Sequence, residues 1–197
     1  MVRRDILEFA VLGVLTDGPI HGYQLRKRLT EMLGPFRSLS YGTLYPTLRR
    51  LVNRQAIEPV SLTPHDESPG LRSRRGRIVY VLTAQGKSEF DQWANRPGPD
   101  SWDDEAFAAH MAFFSRTERR ARLRILHGRR TWLDERLATL RSTLTDSQGK
   151  TDPYTTSMRS LSVESTEREM RWLDELIESE ENNSHEPAKQ SSRQESS

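Results

Sequence analysis

Chemistry by side chains needs nucleophiles, proton carriers, metal ligands or clustered charge at a fixed spacing. The five histidines, His21, His65, His110, His127 and His185, fall at no metal-ligand spacing. The patterns H-E-x-x-H, G-x-S-x-G and G-x-x-x-x-G-K-S/T are absent. There is no cysteine, which excludes disulfides, thiolate zinc sites and thiol catalysis and favours an intracellular address. No enzyme, no metal and no cofactor are expected. What remains is arginine, in two short clusters. SYGTLYPTLRRL, Ser40 to Leu51, carries Arg49 and Arg50 beside Tyr41, Thr43 and Tyr45. LRSRRGR carries Arg72, Arg74, Arg75 and Arg77 within six residues. Guanidinium groups mixed with short polar and aromatic side chains are suited to phosphates and base edges.

The charge of the whole chain agrees with that reading. Net charge is +2, but residues 1–96 hold 15 Lys and Arg against 9 Asp and Glu, +6, and residues 97–197 hold 15 against 19, −4. The first half can meet a polyanion and the second half is not built to. Apolar residues make up 34% and charged residues 29%, which suits small helical units that complete their burial against a partner. The apolar run near the start is short and broken by acids, so it predicts neither a signal peptide nor a membrane span.

The elements that must hold the arginines follow from the apolar period. Ile6, Leu7, Ala10, Val11, Val14 and Leu15 predict a helix over 4–16, stopped by Asp17-Gly18-Pro19. A second helix is expected over 21–33. Leu44, Leu48 and Leu51 form the inward side of a third, ending near Arg54. Pro46 belongs in a first turn, where its missing N–H has no partner in any case. Two starts fit: Thr43 as N-cap, or Ser40 as N-cap with a bend over Gly42–Pro46. Ile57, Val60 and Leu62 then suggest a short strand, at an edge because of Pro59. Arg77 to Leu82 reads as a second strand, across a fourteen-residue loop, Thr63 to Gly76. Thr83 can cap a fourth helix, 84–95, which buries Phe90 and Trp93.

Three helices, a strand pair with a basic loop and a further helix make a winged helix-turn-helix. In that motif the third helix offers its outer face to a DNA groove and the wing lies along phosphates. The expected outer face holds Ser40, Tyr41, Thr43, Tyr45, Thr47, Arg49 and Arg50, with the four wing arginines beside it. Tyr23 is a further candidate contact, with packing as its other reading. His21 either caps the second helix or touches a phosphate.

Arg96-Pro97-Gly98-Pro99 marks a domain boundary. The expected organisation is a DNA-binding domain over 1–96, a helical dimerisation and effector domain over 97–180, and a disordered tail over 181–197. The fold class is mainly α. Helices are predicted over 101–114, 117–144 and 153–180, the last capped by Asp152 with Pro153 in its first turn. Leu126, Leu133, Leu137, Leu140 and Leu144 follow a coiled-coil spacing, and with Trp172 and Leu176 they are candidates for a dimer seam. Trp93, Trp102, Phe107, His110, Met111 and Phe114 could line a pocket for a flat aromatic effector, or be plain core or dimer interface. The seven arginines from Arg116 to Arg130 read as a solvated face or as ion pairs between monomers rather than a second nucleic-acid surface.

Three blocks in order, LEFAVLGVLTDGPIHGYQL (7–25), SYGTLYPTLRRL (40–51) and RIVYVLTAQGKSEFDQW (77–93), resemble the PadR family of bacterial transcriptional regulators. The helical second half resembles, by layout alone, the subfamily with the larger C-terminal domain. The family's Ser-x-Gly-Thr-x-Tyr-Pro pattern falls on Ser40, Gly42, Thr43, Tyr45 and Pro46, its His-Gly-Tyr on His21, Gly22 and Tyr23, and its strand–Thr–helix pattern on Tyr80, Thr83, Gly86 and Trp93. The resemblance implies a homodimeric repressor on an inverted repeat in double-stranded DNA. It also implies relief by a small aromatic or hydrophobic molecule, and a cytoplasmic, nucleoid-associated address. The insert Pro64–Gly70 departs from the family by lengthening the wing. A different class remains open: a winged-helix module whose basic face meets a protein or RNA.

Overall fold

The structure, a computed structural model, describes residues 3–33, 41–61, 78–146 and 152–182. It divides into two compact units, Met1–Ile125 and Leu126–Ser197. In the first, α1 (Arg3–Leu15) is the central element. It is apolar nearly all round: Phe9 and Leu12 are buried as fully as Ile6, Leu7, Val11 and Leu15, because α2, α3, α4 and α5 all pack on it. Hydrophobicity on every side is the mark of a buried helix. Gly13 is where α1 meets its nearest neighbour, since a Cβ there would lie 2.3 Å from the ring of Phe113.

After α1 the chain makes a two-residue strand, β1 (Ile20–His21), that the sequence pattern does not signal. It pairs antiparallel with β3 (Ile78–Leu82), Ile20 opposite Tyr80 and His21 opposite Val79. β2 (Ile57–Ser61) pairs with the other side of β3, giving the sheet order β1-β3-β2. Pro59 sits on the edge strand, where it removes no needed donor. The expected loop between β2 and β3 lies outside the described residues.

The helices α2 (Gly22–Leu33) and α3 (Tyr41–Asn53) lay Leu25, Leu29, Leu44, Leu48 and Leu51 onto α1 and the sheet. α3 ends in a Schellman turn. Ala56 N–H donates to Leu51 O at 2.9 Å and Gln55 N–H to Val52 O at 2.9 Å, with Gln55 at φ 60°. The Ala56 carbonyl then receives Thr83 N–H at 3.2 Å and the Thr83 hydroxyl at 3.0 Å. Thr83 Oγ1 in turn accepts from Gly86 N–H at 3.0 Å, capping α4 (Ala84–Ala94). Gly86 has to be glycine, because a Cβ there would meet Ala56 O at 2.0 Å.

The Arg96–Pro99 break ends α4, yet the compact unit continues past it. α5 (Asp104–Met111) packs against α1, and a short 3-10 turn follows at Phe114–Arg116. The residues expected as one helix over 101–114 are thus a short helix between two 3-10 turns. Phe9 stacks on Phe90 at 5.3 Å, and Phe113 meets both rings edge-on at 5.4 Å. This aromatic cluster joins α1, α4 and the turn after α5.

The second unit is an antiparallel pair made by the later turns of α6 (Arg119–Asp146) and α7 (Pro153–Asn182). Leu133, Leu137, Met170, Leu173 and Ile177 are its buried apolar side chains. Ion pairs stitch it: Arg129–Glu169 at 2.6 Å, Arg130–Asp174 at 2.8 Å and Arg141–Glu167 at 2.6 Å. Asp152 Oδ1 caps α7, accepting from Tyr154 and Thr155 N–H at 2.9 and 3.1 Å. α7 runs on through Glu181 and Asn182, the first two residues of the expected tail; the rest of that tail lies outside the described residues.

Candidate nucleic-acid interface

α3 begins at Tyr41, so of the two starts the structure takes the earlier. Thr43 is inside the first turn and Pro46 in the second. Pro46 cannot donate to the carbonyl four residues back, that of Gly42, and the missing side chain at Gly42 leaves the backbone of that turn open. Gly42, Thr43, Pro46 and Arg49 are exposed, Tyr45 is half-buried and Leu44, Leu48 and Leu51 face inward. Thr47, expected outward, is 2% exposed. Its hydroxyl donates to Thr43 O at 2.9 Å.

Tyr45 lies partly on the core. A Cβ on Gly22 would stand 3.4 Å from the Tyr80 ring and 4.0 Å from the Tyr45 hydroxyl, so the start of α2 fits closely under both phenols. Burial raises the Tyr80 phenol above its ordinary value; Tyr45 adds to this and the Arg49 charge opposes it. Tyr23, at the first turn of α2, is 61% exposed and available as a contact. His21 Nδ1 is enclosed and makes no hydrogen bond among the described residues. Ser40 and the wing residues Arg72, Arg74, Arg75 and Arg77 lie outside the described residues. Of Tyr41 the structure places the backbone.

Arg50 does not join Arg49. Its Nε donates to Glu8 Oε1 at 2.8 Å and its Nη2 to Thr47 Oγ1 at 2.9 Å. Arg54 Nη1 donates to Glu8 Oε2 at 2.7 Å, and its Nη2 lies 2.9 Å from Glu89 Oε2 without the alignment of a hydrogen bond. Arg54 also sits over the Trp93 ring at 5.8 Å. Glu8 is 4% exposed. One buried carboxylate on α1 thus holds both guanidiniums from the end of α3. Sequence reasoning missed Glu8; the available signal was a lone carboxylate inside the apolar run ILEFAVLGVL.

The candidate effector residues separate. Trp93 and His110 line a cleft of about 680 Å³, with Asp5, Arg96, Pro97–Pro99, Asp100 and Ser101. Phe107 and Phe114 are buried, Trp102 and Met111 are half-buried, and none of the four is among the described walls of this cleft. His110 rests 4.9 Å from Phe9, and burial pushes its imidazole down to about 4. Among the described residues no group of His, Cys, Asp or Glu is placed to hold a metal ion.

The candidate seam also separates. Leu126, Leu133 and Leu137 are buried within the chain, and Leu140, Leu144 and Leu176 are half-buried. Trp172 is exposed, on the same side of α7 as Tyr154, Met158 and Leu161 by helical spacing. The seven arginines of 116–130 are largely engaged as ion pairs and backbone donors, including Arg116 to Asp17, Arg122 to Thr117 O, and Arg129 and Arg130 to α7.

A three-helix core, a small antiparallel sheet and a third helix showing Thr43, Tyr45 and Arg49 define a winged-helix domain followed by a helical unit. Residues 11–92 match the Transcriptional regulator PadR-like family. Over those residues the chain is similar to that family. Over 102 residues it is 31% identical to the negative transcriptional regulator PadR of Bacillus subtilis, covering 51% of this chain and 52% of that one. Over 91 residues it is 25% identical to a probable transcriptional regulator of Mycobacterium tuberculosis, covering 46% and 44%. The chain thus spans about half the length of the curated relatives it matches. A solved structure of Bacillus subtilis PadR in complex with operator DNA aligns at 21% identity and TM-score 0.41, over 89% of this chain and 99% of that one. One in complex with p-coumaric acid aligns at 21% and 0.40, over 92% and 98%. Among the described residues no helix is long and apolar enough to cross a membrane.

Proposed function

We propose that the chain is a site-specific DNA-binding regulator rather than an enzyme, a repressor acting as a homodimer on an inverted repeat. The observation that carries this is the outer side of α3, where Thr43, Tyr45 and Arg49 are presented by a helix whose other side is locked into the core of a PadR-like domain. The name of the Bacillus relative, a negative regulator, supports repression. Recognition belongs to residues 1–96. The major groove receives α3, the wing arginines Arg72, Arg74, Arg75 and Arg77 follow phosphates, and Ser40, Tyr41 and Tyr23 flank them. The helical residues after 97 serve dimerisation and effector response. Tyr154, Met158, Leu161 and Trp172, from 85% to 44% exposed along one side of α7, are the contact with a second copy. The cleft lined by Trp93 and His110 takes a flat aromatic or hydrophobic effector, which releases DNA by fitting one arrangement of the dimer better than the other. The regulator works in the cytoplasm on nucleoid DNA.

Binding to duplex DNA as a function of salt tests the reading. Three or four phosphates neutralised per monomer give a log–log slope of roughly −5 to −7 for the dimer. A slope near −1 contradicts it.

A further inference from the structure

The two arginines at the end of α3 look interchangeable in sequence, and the structure separates them. Arg49 points outward; Arg50 and Arg54 are both committed to the Glu8 carboxylate. That carboxylate is buried, so leaving it unpaired is costly, and each arginine that turned away to a phosphate would leave it under-satisfied. The geometry is also directional. Arg50 spends Nε on Glu8 and Nη2 on Thr47, and Arg54 places one nitrogen on Glu8 and the other beside Glu89 of α4. The leucines Leu44, Leu48 and Leu51 set how deep α3 sits, but apolar packing tolerates a small roll of a helix about its axis. A planar guanidinium held at two points does not.

We propose that Glu8 of α1 is the positioning residue of the recognition helix. By clamping Arg50 and Arg54 it fixes the roll of α3, and it removes both from the phosphate-binding set. Among the described side chains of α3, Arg49 is then the phosphate contact, and the choice of DNA sequence depends on a buried carboxylate on another helix. This rests on the DNA-binding reading above.

The test uses the full chain, a duplex selected by the wild-type protein from a random-sequence pool, and an unrelated duplex of equal length. Arg49→Gln lowers the salt slope by about 2 for the dimer, on both duplexes alike. Arg50→Gln leaves the slope unchanged and Glu8→Gln, which frees both arginines, does not lower it; each lowers the ratio of selected to unrelated affinity on the order of tenfold, the size of one mis-set base contact. The double variant is no worse than either single one, because both remove the same clamp. If Glu8→Gln does not fold, Arg50→Lys gives the same reading, since it keeps the charge and loses the fork. The proposal is overturned if Arg50→Gln lowers the slope as Arg49→Gln does, or if the clamp variants keep full discrimination. A wild-type chain that selects no duplex contradicts the DNA reading, and the clamp's role with it. Failure of the clamp alone leaves wild-type selection intact.

Discussion

Acidification should destabilise the first unit through His110. The imidazole is 2% exposed, lies 4.9 Å from Phe9 and has an enclosed Nδ1 that makes no hydrogen bond among the described residues. Burial lowers its pKa from 6.5 to about 4. Between those values the unfolded chain holds the proton and the folded chain does not, so stability rises with pH across that window. The contribution is complete above pH 6.5 and is lost as the pH falls toward 4. A shift of that size corresponds to about 3 kcal/mol over the window, most of it between pH 7 and pH 4.5. Urea unfolding at the two pH values measures it, with hydrogen exchange of the α1 amides assigning the transition to this unit. Carboxylates titrate in wild type and in His110→Gln alike, so the difference between the two proteins isolates the histidine. Wild type should lose about 2 kcal/mol more than the variant on acidification. Equal losses in the two proteins would refute the argument that burial, rather than the acidic surface, sets this response.

Gln55 holds φ 60° in the Schellman turn after α3, so Gln55→Gly should stabilise the chain by about 0.5–1 kcal/mol in urea unfolding. Gly86→Ala places a Cβ 2.0 Å from Ala56 O and should cost about 2 kcal/mol or more, read as a fall in Tm. Leu161→Glu or Trp172→Glu on the outer side of α7 should turn the proposed dimer into a monomer by light scattering, while monomer stability shifts by less than about 0.5 kcal/mol.

The helices were legible because their apolar periods are strong and their ends are explicit, as the stop Asp17-Gly18-Pro19 and the start Asp152-Pro153 show. β1 was not, because two residues have no period and pair only once β3 has folded beside them. Phe9 and Leu12 are not among the residues whose apolar period predicts α1. Both are buried, Phe9 against Phe90 and Trp93 of α4 and against His110 and Phe113 from beyond the Arg96–Pro99 break, and no local pattern reveals that packing. The leucine spacing of α6 marks an apolar stripe but does not say what covers it. Leu133 and Leu137 are buried in the unit formed with α7 of the same chain. At the candidate site, Thr43, Tyr45 and Arg49 could be read from helical spacing alone. The inward turn of Arg50 could not, because it depends on a carboxylate 42 residues away.

Footprinting on the DNA upstream of the chain's own gene tests the central claim most directly. The account predicts a protected inverted repeat, with half-sites about one helical turn apart and protection that fades as salt is raised. No protection at low salt by a folded dimer, together with no duplex enriched in a genome-wide capture, would contradict it.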